Sequence, residues 1–292
     1  MKILLILLLA ASALSAKLNV AAAYPYIKEL TKEIGQDKVA ITLLSQGNWD
    51  PHFVVPKPSL IAYLRNSDLL ILNGASLEEG WLSPLLNSAN NPKIQRNAKG
   101  YLALSDYMEL QDIPKKVNRS MGHVHAEGNP HFILDPHNVI KLAKVISLKL
   151  SLLDPANQGF YKKNFEAFRT AWEKKLASFD KQMEACRGMS VIQYHELFNY
   201  FLRRYGINSV DNIEPLAGVA PNSKHTVELI DTIKRKNIRL ILQDVYHEHR
   251  TAHFIAEKTG AKVVQLPHDV NAMKGTATLE DLYTTLVNTV CR

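Results

Sequence analysis

Between Asn157 and Cys186 the chain runs without a proline, and Phe160, Phe165, Phe168, Trp172, Leu176, Phe179 and Met183 recur along it every three to five residues. That spacing places the apolar side chains on one face of a single helix. At 1.5 Å per residue such a helix is about 40 Å long, close to the width of a domain. Few folds have room for a rod of that length at mid-chain. On either side of it short apolar runs alternate with amphipathic ones. Before it come the strand-like "KVAITLLS", "DLLILNG" and "GYLALSD", separated by the helix-like "KPSLIAYLRNS" and "SLEEGWLSPLLNSA". After it come "MSVIQYH", "INSVDNIEP", "IRLILQDV" and "AKVVQLP", again with helical stretches between. Alternation of this kind implies parallel sheets covered by helices on both faces. The expected fold is α/β, with two lobes that each hold a mainly parallel sheet flanked by helices, joined by a long rigid backbone helix. The expected divisions are 1–16 for a signal peptide, 17–154 for the first lobe, 155–186 for the linking helix and 187–292 for the second lobe.

The opening "MKILLILLLAASALSA" has one lysine, a short apolar run and then small residues, the layout of a secretory leader and too short for a membrane span. No cysteine stands near its end to accept a lipid, so a free periplasmic protein is expected. The 46% hydrophobic content supports real cores, and the net charge of +7 is scattered, with no basic run interleaved with aromatics. Nucleic-acid binding is therefore not expected. The two cysteines, Cys186 and Cys291, could pair in an oxidising compartment or remain free thiols.

In such folds ligands sit beyond the carboxyl ends of the strands, which makes residues there the candidates for function. Two segments resemble each other, "DPHFVVPKP" around His52 and "NPHFILDP" around His131. The proline fixes its own φ and holds the preceding Asp50 or Asn129 extended, so each histidine is positioned before a metal arrives. His195 in "VIQYHELF" follows an apolar strand directly and is the third candidate. Three histidines drawn from both lobes make a cleft-bridging metal site, whose affinity should fall as pH drops through the imidazole range. Asp244, at the end of "RLILQD", is the first candidate for a fourth ligand; Asp269, His268 and water compete with it. Imidazole donors favour Zn(II), whereas Mn(II) prefers more oxygen and higher coordination.

Other histidines are weaker candidates. His123 and His125, in "MGHVHAEGN", fit a short mobile lure that raises the local zinc concentration, and His137 fits a helix start. His249 and His253 stand at i, i+4, a spacing that can chelate but more often marks a solvated helix face.

Taken together, "DPHFVVPKPS", "SDLLILNGASLEEGWL", "NPHFILDP", "LDPANQGFYKKN", "QYHELFNYFLRRYGI", "IEPLAGVAPNSKHTVELI" and "AEKTGAKVVQLP" resemble the zinc/manganese solute-binding proteins of ABC importers, the ZnuA and TroA type, in the same order and over almost the full chain. The resemblance implies two α/β lobes joined by a long helix, metal in the cleft, and His52, His131 and His195 as its ligands. In that family a carboxylate at the third position accompanies manganese, so His195 points to zinc. The glutamate-proline that relatives carry after one strand is replaced at Asp244, the Asp-Pro-Leu-Gly pattern near "QLPHDVNA" is missing, and the histidine-rich loop is reduced to "GHVHAEG".

The resulting expectation is a periplasmic, monomeric metal-capture protein, not an enzyme, that binds Zn(II) as transported ligand and hands it to a membrane permease. A Mn(II) receptor of the same type is the alternative. A zinc hydrolase would need a base beside the metal, and "HELFN" begins like H-E-x-x-H but ends in Asn199. A metal-independent adhesin is the remaining class.

Overall fold

A computed structural model describes residues 16–114 and 125–291. The leader reading falls on residues outside that range, as does His123. The first lobe contains β1 (Leu18–Ala22), α1 (Pro25–Gly35), β2 (Val39–Leu43), α2 (Pro58–Arg65), β3 (Leu69–Leu72), α3 (Glu79–Ala89), β4 (Tyr101–Ala103) and α4 (Asn138–Leu153). Pro25 and Pro58 open their helices, where a fixed φ and a missing N–H cost nothing. The linking helix α5 spans Gln158–Met183, 26 residues, as the apolar stripe predicts. The second lobe contains β5 (Ser190–Gln193), α6 (Asn199–Arg204), β6 (Asn208–Asn212), α7 (Ser223–Lys236), β7 (Leu240–Gln243), α8 (Arg250–Thr259), β8 (Lys262–Gln265) and α9 (Leu279–Val290).

Both sheets are fully parallel, ordered β2-β1-β3-β4 and β6-β5-β7-β8. The second repeats the first: in each, the chain moves to one neighbour and then returns to the other side. The resulting switch point opens a crevice at the carboxyl ends of the strands, and both lobes turn these ends toward each other across the site described below. Among the described residues no helix is long and apolar enough to cross a membrane.

The lobes share one hydrophobic core. It runs from β1 through α4 and α5 to α6 and α9, and a smaller cluster fills the space between the second sheet, α7 and α8. The stripe on α5 carries this continuity. Its Trp172 ring packs edge-on against Tyr283 of α9 at 5.6 Å between centroids, while its indole N–H donates to Pro136 O at 3.0 Å. Direct bonds also cross between lobes. Tyr26 N donates to Asp269 Oδ1 at 2.9 Å, Asn129 Nδ2 to Glu196 O at 2.7 Å, and the Arg204 guanidinium grips the buried Asp135 carboxylate at 2.7 to 3.0 Å. Gly47 is required by the same contact: a Cβ there would come within 1.9 Å of Val270 O. Cys186 and Cys291 are joined, with their Cα atoms 5.7 Å apart, which ties the end of the linking helix to the residue after α9.

Candidate metal centre

His52 lies in the loop after β2. Asp50 Oδ1 accepts from both His52 N (2.9 Å) and His52 Nδ1 (2.8 Å), so one carboxylate fixes backbone and ring together. These bonds outweigh burial and hold the Asp50 carboxyl below its ordinary range. His131 sits in the second copy of the turn, where Asn129 Oδ1 accepts from His131 N at 2.9 Å. His195 follows β5 by two residues in extended conformation, and its Nδ1 lies 2.8 Å from Glu214 Oε2.

The three rings converge. Centroid separations are 5.4 Å for His52 and His131, 5.6 Å for His52 and His195, and 5.5 Å for His131 and His195, with the rings close to perpendicular. Their candidate ligand atoms all lie within 4.8 Å of one another. Nitrogens around a tetrahedral zinc with bonds of 2.0 to 2.1 Å stand about 3.4 Å apart, so a small inward movement completes the geometry. His131 is 5% exposed and its Nε2 has no hydrogen-bond partner among the described residues. An orphaned buried acceptor is costly unless something else occupies its lone pair. Burial, then the neighbouring His52 and His195, hold its imidazole well below the ordinary value, in the neutral form that binds metal.

A fourth histidine comes close. His125 Nε2 is 3.1 Å from His52 Nε2, and the two rings stack at 5.2 Å. A cavity of about 660 Å³ on this side is lined by His125, His131, His195 and Glu196.

Asp244 is not brought into the group of three. Its Oδ1 accepts from Tyr246 N and His247 N at 3.1 and 2.8 Å, and its Oδ2 lies 2.8 Å from His247 Nδ1. A carboxylate at a strand end is well placed to close the next turn, and here it does so. Asp269 instead bonds Tyr26 N and Val270 N, and His268 Nε2 meets Trp49 O at 3.1 Å. Burial pushes the His268 imidazole down to about 4. His137 pairs with Asp180 of α5 at 2.9 Å. His249 is the N-cap residue of α8 and His253 lies within that helix, with ring centroids 6.5 Å apart.

Sequence reasoning missed two residues. Glu214 ends the segment after β6 and bonds His195; His247 Nε2 lies 3.3 Å from the other Glu214 oxygen. Burial opposes ionisation of Glu214, but its bonds to His195 and His247 prevail and hold the carboxyl down to about 2. Burial likewise works against the charged form of His247, and is overcome by Asp244 and Glu214, which push it up to about 9. A legible signal existed: Glu214 is an acid just past the carboxyl end of a strand, the position from which Asp244 was singled out.

Two parallel-sheet lobes on a long helix, with a histidine cluster between them, have the form of a receptor that holds a metal ion in its cleft. The model of the family described as "Zinc-uptake complex component A periplasmic", ZnuA, matches residues 20–291, and the chain belongs to that family. It is thus an extracytoplasmic substrate-binding component of an ABC metal transporter, which implies a permease partner. It is 26% identical over 267 residues to the metal ABC transporter substrate-binding lipoprotein SloC of Streptococcus mutans, covering 89% of this chain and 84% of that one. It is 29% identical over 204 residues to the manganese ABC transporter substrate-binding lipoprotein PsaA of Streptococcus pneumoniae, covering 67% and 61%. Among solved structures, a ZnuA deletion mutant with zinc bound superposes with a TM-score of 0.76 at 24% identity, over 94% of this chain and 99% of that one.

Proposed function

We propose that His52, His131 and His195 hold one Zn(II) in the inter-lobe cleft and that the protein, a monomer, delivers it to the membrane permease. The observations that carry this reading are three imidazoles with one ligand atom each within 4.8 Å of one another, and a His131 Nε2 that is buried and unpartnered among the described residues. An all-imidazole donor set favours zinc over manganese. Asp50 and Glu214 support the same choice, because they bond ring nitrogens of His52 and His195. His125 Nε2 or water fills the fourth position, since Asp244 is engaged with His247. Delivery requires the permease to bind the metal-free form more tightly, because a partner shifts an equilibrium only by differential affinity.

The second reading is Mn(II) capture, favoured by the manganese relative. Calorimetric titration of metal-stripped protein with Zn(II) and Mn(II) in parallel separates them. Tight zinc binding that disappears in the His52, His131, His195→Ala triple variant is expected. Preference for manganese would overturn the choice of metal, and unchanged zinc binding by the triple variant would overturn the site.

A further inference from the structure

Behind His195 lies a buried chain of polar groups reaching across three strand ends. The Glu214 carboxylate, 6% exposed, receives His195 Nδ1 at 2.8 Å and Gly218 N at 3.3 Å on Oε2, and its Oε1 lies at ion-pair distance, 3.3 Å, from His247 Nε2. His247 Nδ1 in turn meets Asp244 Oδ2 at 2.8 Å, and Asp244 is 1% exposed with its other oxygen held by two backbone N–H groups. The His247 ring is stacked on Tyr194, with centroids 4.5 Å apart and planes 19° from parallel. His195 follows β5, Glu214 follows β6, and Asp244 and His247 follow β7.

The candidate ligands are therefore supported unequally. His52 relies on Asp50 from its own turn, whose side chain is 26% exposed. His195 relies on a carboxylate from another strand, pinned by an imidazole from a third. The support decides which nitrogen faces the metal. A free imidazole carries its proton mostly on Nε2, but a carboxylate at Nδ1 draws the proton there and leaves the Nε2 lone pair available.

Resting on the zinc reading above, we propose that Glu214 is a positioning residue that fixes His195 as an Nε2 ligand, and that His247, anchored by Asp244, holds Glu214 to that task. On this account Asp244 supports the site two bonds away instead of contacting the ion.

The test combines chelator-competition measurements of zinc affinity with ¹⁵N NMR of the histidine rings in the metal-free protein. The wild type is expected to show His195 with its proton on Nδ1. Glu214→Gln keeps that tautomer, because the amide oxygen accepts the same bond, and loses less than roughly 10-fold in affinity. Glu214→Leu loses the tautomer and roughly 10- to 100-fold in affinity. His247→Phe keeps the stack on Tyr194 but removes the hydrogen bond to Asp244 and the ion-pair contact with Glu214; it should weaken binding several-fold, and it carries the test should Glu214→Leu fail to fold. Unaltered affinity in both Glu214→Leu and His247→Phe overturns the proposal. So does an unchanged His195 ring pattern accompanied only by a lower melting temperature, the signature of a purely structural carboxylate. These failures are distinguishable from failure of the zinc reading itself, which would appear as absent zinc binding in the wild type or as undiminished binding in His131→Ala.

Discussion

The Nε2 atoms of His52 and His125 lie 3.1 Å apart. Two imidazole nitrogens approach this closely when one carries a proton toward the other or when both face one cation, and the spacing is near the roughly 3.4 Å between two ligands of a tetrahedral zinc. His125→Ala should therefore weaken zinc binding by about 10-fold or less, mostly through faster release, since changes within one site act chiefly on dissociation. Stopped-flow release into a chelator checks this. An unchanged rate would reduce His125 to a bystander.

His131 and His137 are the sharpest contrast between similar turns. His131→Ala should abolish tight zinc binding, because it removes the buried candidate ligand whose Nε2 has no other partner among the described residues. His137→Ala should leave affinity unchanged and cost at most about 1 kcal/mol of stability, since its pair with Asp180 is 32% and 44% exposed. Titration and denaturant melts of both variants decide it.

The Cys186–Cys291 bridge closes a loop with a sequence separation of 105. Chain entropy alone assigns such a bridge about 4 to 5 kcal/mol. The double serine variant should melt at lower denaturant by an amount of that order while binding zinc nearly as before, because the bridge ties α9 to the linking helix well away from the cleft.

His247 gives metal-free stability a pH dependence. Its folded value of about 9 lies above the ordinary 6.5, because Asp244 and Glu214 overcome the effect of burial. A raised value means the contribution is complete below about pH 6.5 and is lost as pH rises through about 9, of order 3 kcal/mol in all. Glu214 has the opposite sign: held down to about 2, its contribution is present above about pH 4.5 and lost toward pH 2. Melting curves of the stripped protein from pH 6 to 10 should fall in the wild type and flatten in His247→Gln.

A shared core and the bond from Tyr26 N to Asp269 leave little freedom for a wide hinge. Small-angle scattering of stripped and zinc-loaded protein should give the same radius of gyration within error. A clear contraction on loading would show that the linking helix does not limit closure.

The histidines show how far local sequence reaches. Asp50-Pro-His52, Asn129-Pro-His131 and Asp135-Pro-His137 all form the same local turn, in which the acid or amide oxygen accepts the N–H of the histidine at 2.9 Å. Such a turn is local chemistry, a short side chain reaching two residues on beside a fixed proline φ, so sequence dictates it. The period of the apolar residues likewise dictated the strands, the helices and the rod of α5, because burial of one face is a property of each segment.

Only the tertiary structure decided which turns meet in the cleft. Phe132 is fully buried and carries His131 into the cleft, Phe53 is 59% exposed beside His52, and His137 is drawn instead to Asp180 on α5. Asp244 and Glu214 look alike in sequence, each an acid just past a strand. Their roles diverge because β5 sits between β6 and β7, which sets Glu214 against His195 and leaves Asp244 to hold His247 behind it. Side chains that meet across 19 or more residues are placed by sheet order and shared packing, and no local pattern carries that information.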